Sequence, residues 1–179
     1  FEIEGHDARM EIFTTRPDTM FGATFWVLAP EHPLVAEITT EEHRAAVDAY
    51  VEEAARKSEI DRSGADAGKS GVDTGAFASN PANGARLPIW VADYVLMGYG
   101  TGAIMCVPGH DQRDWDFART FGLPIVEVIT GGDIEQEAWA GDGSLVNSGF
   151  LDGLDTGAAI RAMIDWLEEK QLGRGVVRY

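Results

Sequence analysis

Apolar and polar positions alternate in distinct patterns along the chain, and the N-terminal part predicts two strands followed by a helix. Residues 10–14 and 22–29 are rich in aromatic and β-branched side chains and flank a Pro-Asp pair, which predicts two strands joined by a polar loop. Thr39 and Glu42 form a capping-box pattern. Apolar residues then recur at helical spacing, so we expect a helix over about residues 40–57.

The middle of the chain predicts a loop and a hairpin. Residues 58–75 are rich in Ser, Gly, Asp and Lys, a composition typical of surface loops. Apolar runs over residues 75–79 and 86–91 flank the sequence Asn-Pro-Ala-Asn-Gly, whose Pro and Asn-Gly favour a tight reversal. We therefore expect the two runs to form a hairpin.

The C-terminal half predicts two more strands and two helices. Residues 101–107 are apolar and extended in character, and helical spacing follows Asp111, a residue type favoured at the N-cap. Residues 124–129 predict a short strand, and the acidic, glycine-rich residues 131–143 predict a connector. A last helix is expected over about residues 157–170. Together these elements predict a mixed α/β fold without internal repeats.

Length and composition fit one globular domain over residues 1–179. Hydrophobic residues make up 45% of the chain, which is enough for a core. The single cysteine, Cys106, lies in an apolar run, so we expect neither a disulfide within the chain nor a cysteine-based zinc site, and a cytoplasmic location fits. No run approaches the roughly 18 apolar residues of a membrane span. Because the chain begins without methionine, we expect a domain excised from a larger protein.

Charge limits the partners that the chain can attract by itself. It carries 14 basic and 30 acidic residues, a formal net charge of −16, which repels polyanions such as nucleic acids. A nucleotide end delivered by another domain remains compatible with this charge, because Arg16 and Arg113 supply positive charge locally.

Two stretches concentrate hydroxyls, glycines and carboxylates. The first motif is residues 14–19 (TTRPDT), and the second motif is residues 98–114 (GYGTGAIMCVPGHDQRD). Both follow apolar runs, and their polar groups would be costly to bury without partners. We therefore expect the two motifs to line one polar site.

These motifs resemble those of a known family. Together with residues 88–96 (PIWVADYVL) and 146–149 (VNSG), they are similar to the editing domain inserted into bacterial-type leucyl-tRNA synthetases. The resemblance implies the mixed sheet or barrel-like core with surrounding helices that valyl, isoleucyl and leucyl editing domains share. The signatures of the parent's activating domain, which uses ATP and Mg²⁺, are missing from this chain.

The activity that the resemblance implies is post-transfer editing, the hydrolysis of the ester in misacylated tRNA(Leu). The noncognate amino acid would be norvaline, isoleucine or a similar one, attached to the terminal adenosine. A second, hydrolytic site is useful to aminoacyl-tRNA synthetases because a hydrophobic pocket separates amino acids that differ by one methylene by only about 1–3 kcal/mol. The resemblance implies no cofactor and no metal in this domain, and the rest of the synthetase as its partner.

Residues at the end of the second motif receive roles from this resemblance. Asp114 would bind the substrate's ammonium group, because a carboxylate accepts charge-assisted hydrogen bonds; the structural alternative is stabilisation of a helix N-terminus. Asp111 suits the capping position and would support the site. Arg113 would contribute positive charge near a phosphate.

The first motif would hold the nucleotide and select the amino acid. Thr19 would exclude the branched leucine side chain, or it would be an ordinary turn threonine. Thr14 and Thr15 would bind the terminal nucleotide or the attacked carbonyl and help to orient water. Arg16 and Asp18 are also expected among the substrate-binding residues: Arg16 would contact a phosphate or form a local ion pair with Asp18.

The remaining candidates lie in the middle of the second motif. Tyr99, Met105 and Val107 are expected as pocket walls, the last two on one face of a strand, although core packing is equally compatible with them. His110 would bind substrate or stabilise its loop, and we do not assign it as the general base. Since no Ser-His-Asp or Cys-His set is apparent, we favour attack by water, assisted by a hydroxyl of the tRNA ribose.

Other functions fit the sequence less well or remain open. The glycines of the second motif precede a strand instead of joining a strand to a helix, which disfavours a dinucleotide site. A metal-dependent phosphohydrolase would need more His or Asp ligands than the second motif supplies. A module that binds the tRNA end without catalysis, and the editing domain of an isoleucyl or valyl synthetase, stay as alternatives.

Overall fold

The computed structural model describes residues 1–64 and 69–177, in which one sheet has four strands. The strands are β1 (Phe25–Leu28), β2 (Val72–Ser79), β3 (Arg86–Val91) and β4 (Ala103–Cys106), in the order β2-β3-β1-β4. β1 pairs in parallel with β3, whereas the pairs β2–β3 and β1–β4 are antiparallel. The predicted mixed α/β class is confirmed.

Helices surround this sheet. In the described part of the chain they are α1 (Pro33–Ile38), α2 (Glu41–Ala54), α3 (Glu59–Arg62), α4 (Gln112–Phe121) and α5 (Thr156–Glu169), with 3₁₀ helices at Pro17–Gly22 and Gly149–Leu151. The helices that periodicity predicted correspond to α2, α4 and α5. No helix among the described residues is long and apolar enough to cross a bilayer.

β1 lies in the centre of the core, and its two faces pack against different helices. Trp26 and Leu28 belong to a cluster with residues of α1, α2 and α5, whereas Phe25 and Val27 cluster with α4. The rings of Phe25 and Phe117 stack with 5.2 Å between their centroids. Because side chains alternate across a strand, this fully buried strand fixes α4 on one face of the sheet.

α4 begins at the cap that the sequence predicts. The Asp111 carboxylate accepts hydrogen bonds from the backbone N–H groups of Arg113 and Asp114, at 2.9 and 3.2 Å. Gly122, with a φ of +67°, ends the helix in the left-handed conformation. The cap leaves Asp114 in the first turn, next to the end of β4.

The strands predicted over residues 10–14 and 124–129 are wrong. Met10 exchanges backbone hydrogen bonds with the N-terminal residue of the chain instead of joining the sheet. In the second segment, two backbone N–H groups donate to the ring of His110 and are therefore not available to a neighbouring strand. Both segments place apolar side chains against the core, and this pattern alone does not distinguish them from strands.

β1 and β4 are shorter than the strands that the sequence predicts over residues 22–29 and 101–107. The 3₁₀ helix at Pro17–Gly22 extends to the first residue of the segment 22–29. It starts with Pro17, a residue type favoured in the first turn of helices. The predicted hairpin forms from β2 and β3, with Ser79 paired to Arg86 next to the turn.

The segment between α1 and β2 is more regular than predicted. The capping box at Thr39 is wrong, because Thr40 is the N-cap of α2 and the Thr39 hydroxyl donates to the Val35 carbonyl in α1. The loop predicted over residues 58–75 contains α3 and the beginning of β2, and its residues 65–68 lie outside the described residues. A capping box at Ser58 starts α3.

Candidate active site

The two motifs line one cavity of about 180 Å³. It lies between the first motif, the loop before β4, the end of β4 and the first turn of α4. Its walls are formed by Phe13, Thr14, Thr15, Arg16, Thr19, Tyr99, Ile104, Met105, Val107, His110, Asp111, Arg113 and Asp114. Every predicted site residue except Asp18 therefore contributes to a single cavity.

Glycine in the second motif lets its loop pack closely against the first motif. Gly100 has a φ of +64°, and a Cβ atom there would lie 2.8 Å from the Cβ of Phe13. The Tyr99 ring meets the Phe13 ring edge-on, with 6.0 Å between centroids. The Thr101 hydroxyl donates to the carbonyl of Glu11. Gly100 thus allows the loop of the second motif to approach Phe13, next to the first motif.

Asp114 contributes to the cavity wall, and its side chain is almost completely buried. The Tyr94 hydroxyl donates to Oδ1 at 3.1 Å, and the Val107 backbone N–H donates to Oδ2 at 2.9 Å. Across residues 1–64 and 69–177, no lysine or arginine forms an ion pair with this carboxylate. Both oxygens therefore have neutral donors, and the negative charge has no cationic partner within this part of the chain.

Burial changes the acidity of this group. It raises the pKa of the Asp114 carboxyl to about 7, and the negative charge of Asp111 acts in the same direction. The hydrogen bonds from Val107 and Tyr94 oppose this shift. The carboxyl is thus partly ionised at neutral pH, and a cationic group that enters the cavity would favour the ionised form.

Hydrogen bonds within the first motif hold its conformation. The Arg16 guanidinium donates to both carboxylate oxygens of Asp18, at 3.1 and 2.9 Å, and Asp18 is completely buried. This bond to Asp18 raises the pKa of Arg16. The Thr19 hydroxyl donates to the Arg16 carbonyl at 2.9 Å, which fixes the Thr19 rotamer. Asp18 thus supports the loop as the partner of Arg16 and does not line the cavity.

Comparison with known proteins decides the family. The sequence matches the family described as leucyl-tRNA synthetase, editing domain, over residues 1–168. The chain belongs to this family. It is also similar to a solved structure, the agnB2 leucyl-tRNA synthetase of Agrobacterium radiobacter K84 in a ternary complex with tRNA and LeuAMS. Sequence identity is 35% and the TM-score is 0.75, over 99% of this chain and 19% of the synthetase chain. The chain thus spans about a fifth of that protein.

Membership of the editing-domain family confirms the resemblance that the two motifs carried and the fold class that it implied. The chemical roles of individual residues in this editing domain stay predictions, to which the geometry adds detail. In residues 1–64 and 69–177, no three His, Cys, Asp or Glu side chains are arranged to hold a metal ion.

His110 uses both ring nitrogens to hold loops of the editing domain together. Nδ1 lies 2.8 Å from the Trp139 carbonyl oxygen, and Nε2 accepts from the N–H groups of Val128 and Ile129 at 2.9 and 3.1 Å. The ring is therefore neutral with its proton on Nδ1, and burial lowers its pKa. Of the two roles predicted for His110, the geometry favours loop stabilisation.

The other predicted wall residues differ in exposure. Met105 and Val107 are buried and both line the cavity, together with Ile104 between Ala103 and Met105 in β4. Tyr99 is 62% exposed. Arg113 is also largely exposed, with its Nε 3.9 Å from the Asp111 carboxylate. The aliphatic walls of the site are thus shielded from solvent, whereas the tyrosine and the arginine remain accessible.

Four residues that build the site were not predicted from the sequence. Phe13 and Ile104 line the cavity; Phe13 directly precedes the first motif, and Ile104 lies inside the second. Tyr94 and Cys106 lie beside Asp114, and the Tyr94 hydroxyl is 3.6 Å from the Cys106 sulfur. Burial raises the pKa of the Cys106 thiol, so this side chain stays protonated and neutral near pH 7. No local pattern connects Tyr94 to Asp114, because only the tertiary fold brings them together.

Replacing Asp114 by asparagine is expected to stabilise the fold at alkaline pH. The pKa of this carboxyl is about 7 in the folded chain against an ordinary aspartate value of 3.8, so the folded state holds more protons between these values. Wild-type stability therefore falls as pH rises through this window, and the variant lacks that loss. Urea unfolding should show the variant's advantage growing by about 3 kcal/mol from pH 5 to pH 8. A pH-independent difference would contradict the raised pKa.

Replacing His110 by alanine is expected to destabilise the editing domain. Two backbone N–H donors and one carbonyl lose their partner, which should lower the free energy of unfolding by about 2–5 kcal/mol in urea titrations. His6→Ala is the matched control, and its effect should stay within about 0.5 kcal/mol, as for most surface substitutions. Slower ester hydrolysis with unchanged stability in His110→Ala would instead support the substrate-binding role.

Proposed function

We propose that the chain hydrolyses the ester between a noncognate amino acid, such as norvaline or isoleucine, and the terminal adenosine of tRNA(Leu). The observation that carries this proposal is the carboxylate of Asp114, which is buried in the cavity wall without a cationic partner among the described residues. An amino acid ester carries an ammonium group that supplies the complementary charge. Membership of the editing-domain family supports the same reaction class.

In the proposed complex, Asp114 binds the ammonium group, and this contact places the ester carbonyl inside the cavity. Thr14 and Thr15 belong to the first motif and line the cavity. Their hydroxyl and backbone N–H groups are suited to the developing oxyanion or the terminal nucleotide. A water oxygen adds to the carbonyl carbon, and the bond from this carbon to the ribose oxygen then breaks. The ribose oxygen takes up the proton that the attacking water loses, which releases the free amino acid and the tRNA.

Direct attack by water is the proposed route. His110 is an unsuitable general base, because its two nitrogens are engaged with backbone groups of other loops. Asp114 is proposed to bind the ammonium group and is therefore not assigned as the base that activates the water. We therefore propose that a hydroxyl of the tRNA ribose assists the water, without a covalent acyl-enzyme.

Selection against leucine is assigned to Thr19. Its side chain is buried in the cavity wall, and the bond from its hydroxyl to the Arg16 carbonyl prevents the side chain from rotating away. Met105 and Val107 offer aliphatic surface to a linear amino acid side chain. The leucine side chain, which branches at Cγ, would collide with Thr19, so that the correct product escapes hydrolysis.

The proposed partners are the tRNA(Leu) acceptor end and the rest of a cytoplasmic leucyl-tRNA synthetase. Activation in that enzyme would use ATP and Mg²⁺, whereas editing by this domain would need no cofactor. Because the chain has a net charge of −16, most phosphate contacts are expected from other domains, with Arg16 and Arg113 acting locally. The isolated chain should accordingly bind tRNA weakly at physiological salt.

Deacylation of norvalyl-tRNA(Leu) and leucyl-tRNA(Leu) tests this proposal, with the chain carried as the editing domain of a full synthetase. We expect rapid hydrolysis of the norvalyl ester, slow hydrolysis of the leucyl ester, and no loss of rate with a metal chelator. Loss of activity with the chelator would favour metal-dependent chemistry. Binding of the tRNA end without hydrolysis of either ester would identify a non-catalytic module and refute the proposal.

A further inference from the structure

Asp114 accepts a backbone N–H on one carboxylate oxygen and a tyrosine hydroxyl on the other, and the Cys106 thiol beside it also favours its ionised form. The Val107 N–H is part of the backbone next to β4, whereas the Tyr94 hydroxyl reaches Oδ1 from the turn that follows β3. The Tyr94 ring is buried and packs 6.0 Å from the ring of Phe117 in α4. The two donors approach from different elements, so together they restrict rotation of the carboxylate.

We infer that Tyr94 is a positioning residue for editing, whose hydroxyl orients the Asp114 carboxylate and favours its ionised form toward the substrate ammonium. This inference rests on the proposed function, because it takes Asp114 as the ammonium ligand. A charged carboxylate gains more from a hydroxyl donor than a neutral carboxyl does. The hydroxyl therefore partly offsets the burial that disfavours the charge.

Side chains of α2 and α3 form hydrogen bonds with the backbone of the residues on both sides of Tyr94. The buried guanidinium of Arg62 donates to the carbonyls of Asp93 and Val95, at 2.7 and 3.0 Å. The Asp93 N–H donates to the hydroxyl of Tyr50 at 2.9 Å. A tyrosine held at its two neighbours in this way places its hydroxyl at a defined point, which a positioning role requires.

Three titratable or charged groups surround this hydrogen bond. Cys106 lies on β4, Asp111 is the cap of α4, and the Arg113 guanidinium lies 5.9 Å from the centre of the Tyr94 ring. Burial raises the pKa of the Tyr94 phenol well above its ordinary value, so this group remains a donor across the physiological range. Asp111 disfavours ionisation of Asp114, and Tyr94 opposes that effect.

The variant Tyr94→Phe tests the inference, because it removes the hydroxyl and keeps the ring. The midpoint of the Asp114 titration, followed by ¹³C NMR of its carboxyl carbon, should rise by about one pH unit, as expected for loss of a hydrogen bond to a charged group. In a synthetase carrying the chain, the pH at which kcat/KM for norvalyl-tRNA(Leu) reaches half its maximum should move equally. Tyr50→Phe is the matched control, since it loosens the same turn without touching Asp114, and it should leave both midpoints unchanged.

Unchanged midpoints in Tyr94→Phe would overturn the inference. Equal shifts of the midpoints in Tyr94→Phe and Tyr50→Phe would also overturn it, because the rigidity of the turn, and not the Tyr94 hydroxyl, would then determine the titration of Asp114. A further outcome is that Tyr94→Phe shifts the NMR midpoint of Asp114 while the wild type does not hydrolyse norvalyl-tRNA(Leu). This outcome would support orientation by Tyr94 and refute the proposed function. The two failures are therefore distinguishable.

Discussion

Replacing Asp114 by alanine is expected to abolish hydrolysis of norvalyl-tRNA(Leu). The substrate ammonium would enter a desolvated cavity without its carboxylate, and truncating one partner of such a buried charge pair typically costs about 2–5 kcal/mol. This corresponds to a loss of about 30-fold to several thousand-fold in kcat/KM, measured as release of norvaline at substrate concentrations well below KM. The ratio of wild-type to variant activity should be largest above pH 7, where the wild-type carboxylate is ionised, and should shrink at lower pH as Asp114 becomes protonated.

Asp116→Ala is the matched control for this experiment. Asp116 is a carboxylate on the same helix, where it accepts from the Gln112 amide at 3.0 Å, and it does not line the cavity. Its replacement should leave kcat/KM within about twofold of wild type, because surface substitutions have small effects. Equal activity of wild type and Asp114→Ala would show that Asp114 only stabilises the helix N-terminus. Thermal unfolding of each variant shows whether a lost activity is simply a lost fold.

Much of the candidate site could be predicted because it is encoded in two continuous segments. The cap at Asp111 is a local interaction that places Asp114 in the first turn of α4, and Met105 and Val107 lie in the second motif itself. Asp18 shows the limit of this reasoning. Its residue type and position predicted a substrate contact, but the carboxylate is buried against Arg16 and does not line the cavity.

Contacts between distant segments account for what the sequence did not predict. Periodicity and caps located α2, α4 and α5, since both are properties of a single helix. The segment over residues 124–129 has a strand-like composition, yet the side chain of His110 takes the hydrogen bonds that a strand would need. The bond from Tyr94 to Asp114 likewise depends on how α4 packs against the sheet. No local pattern encodes either interaction.

Replacing Thr19 by alanine is expected to make the chain hydrolyse leucyl-tRNA(Leu), a product that the wild type should spare. The substitution removes the hydroxyl and the methyl group from a buried side chain in the cavity wall, and the space gained admits the Cγ branch of leucine. A difference of one methyl group in a closed pocket is worth about 1–3 kcal/mol, so leucyl-tRNA(Leu) hydrolysis should rise about 10- to 200-fold. Hydrolysis of norvalyl-tRNA(Leu) should change much less, because a linear side chain does not reach this wall.

Thr24→Ala separates this steric effect from a general loosening of the core. Thr24 is also a buried threonine, but it does not line the cavity, and its hydroxyl makes no hydrogen bond within the described residues. Leucyl-tRNA(Leu) should therefore stay intact with Thr24→Ala and be deacylated with Thr19→Ala. Protection of leucyl-tRNA(Leu) in both variants would mean that Thr19 is an ordinary turn threonine bonded to the Arg16 carbonyl. Exclusion of leucine would then have to come from the aliphatic walls formed by Met105 and Val107.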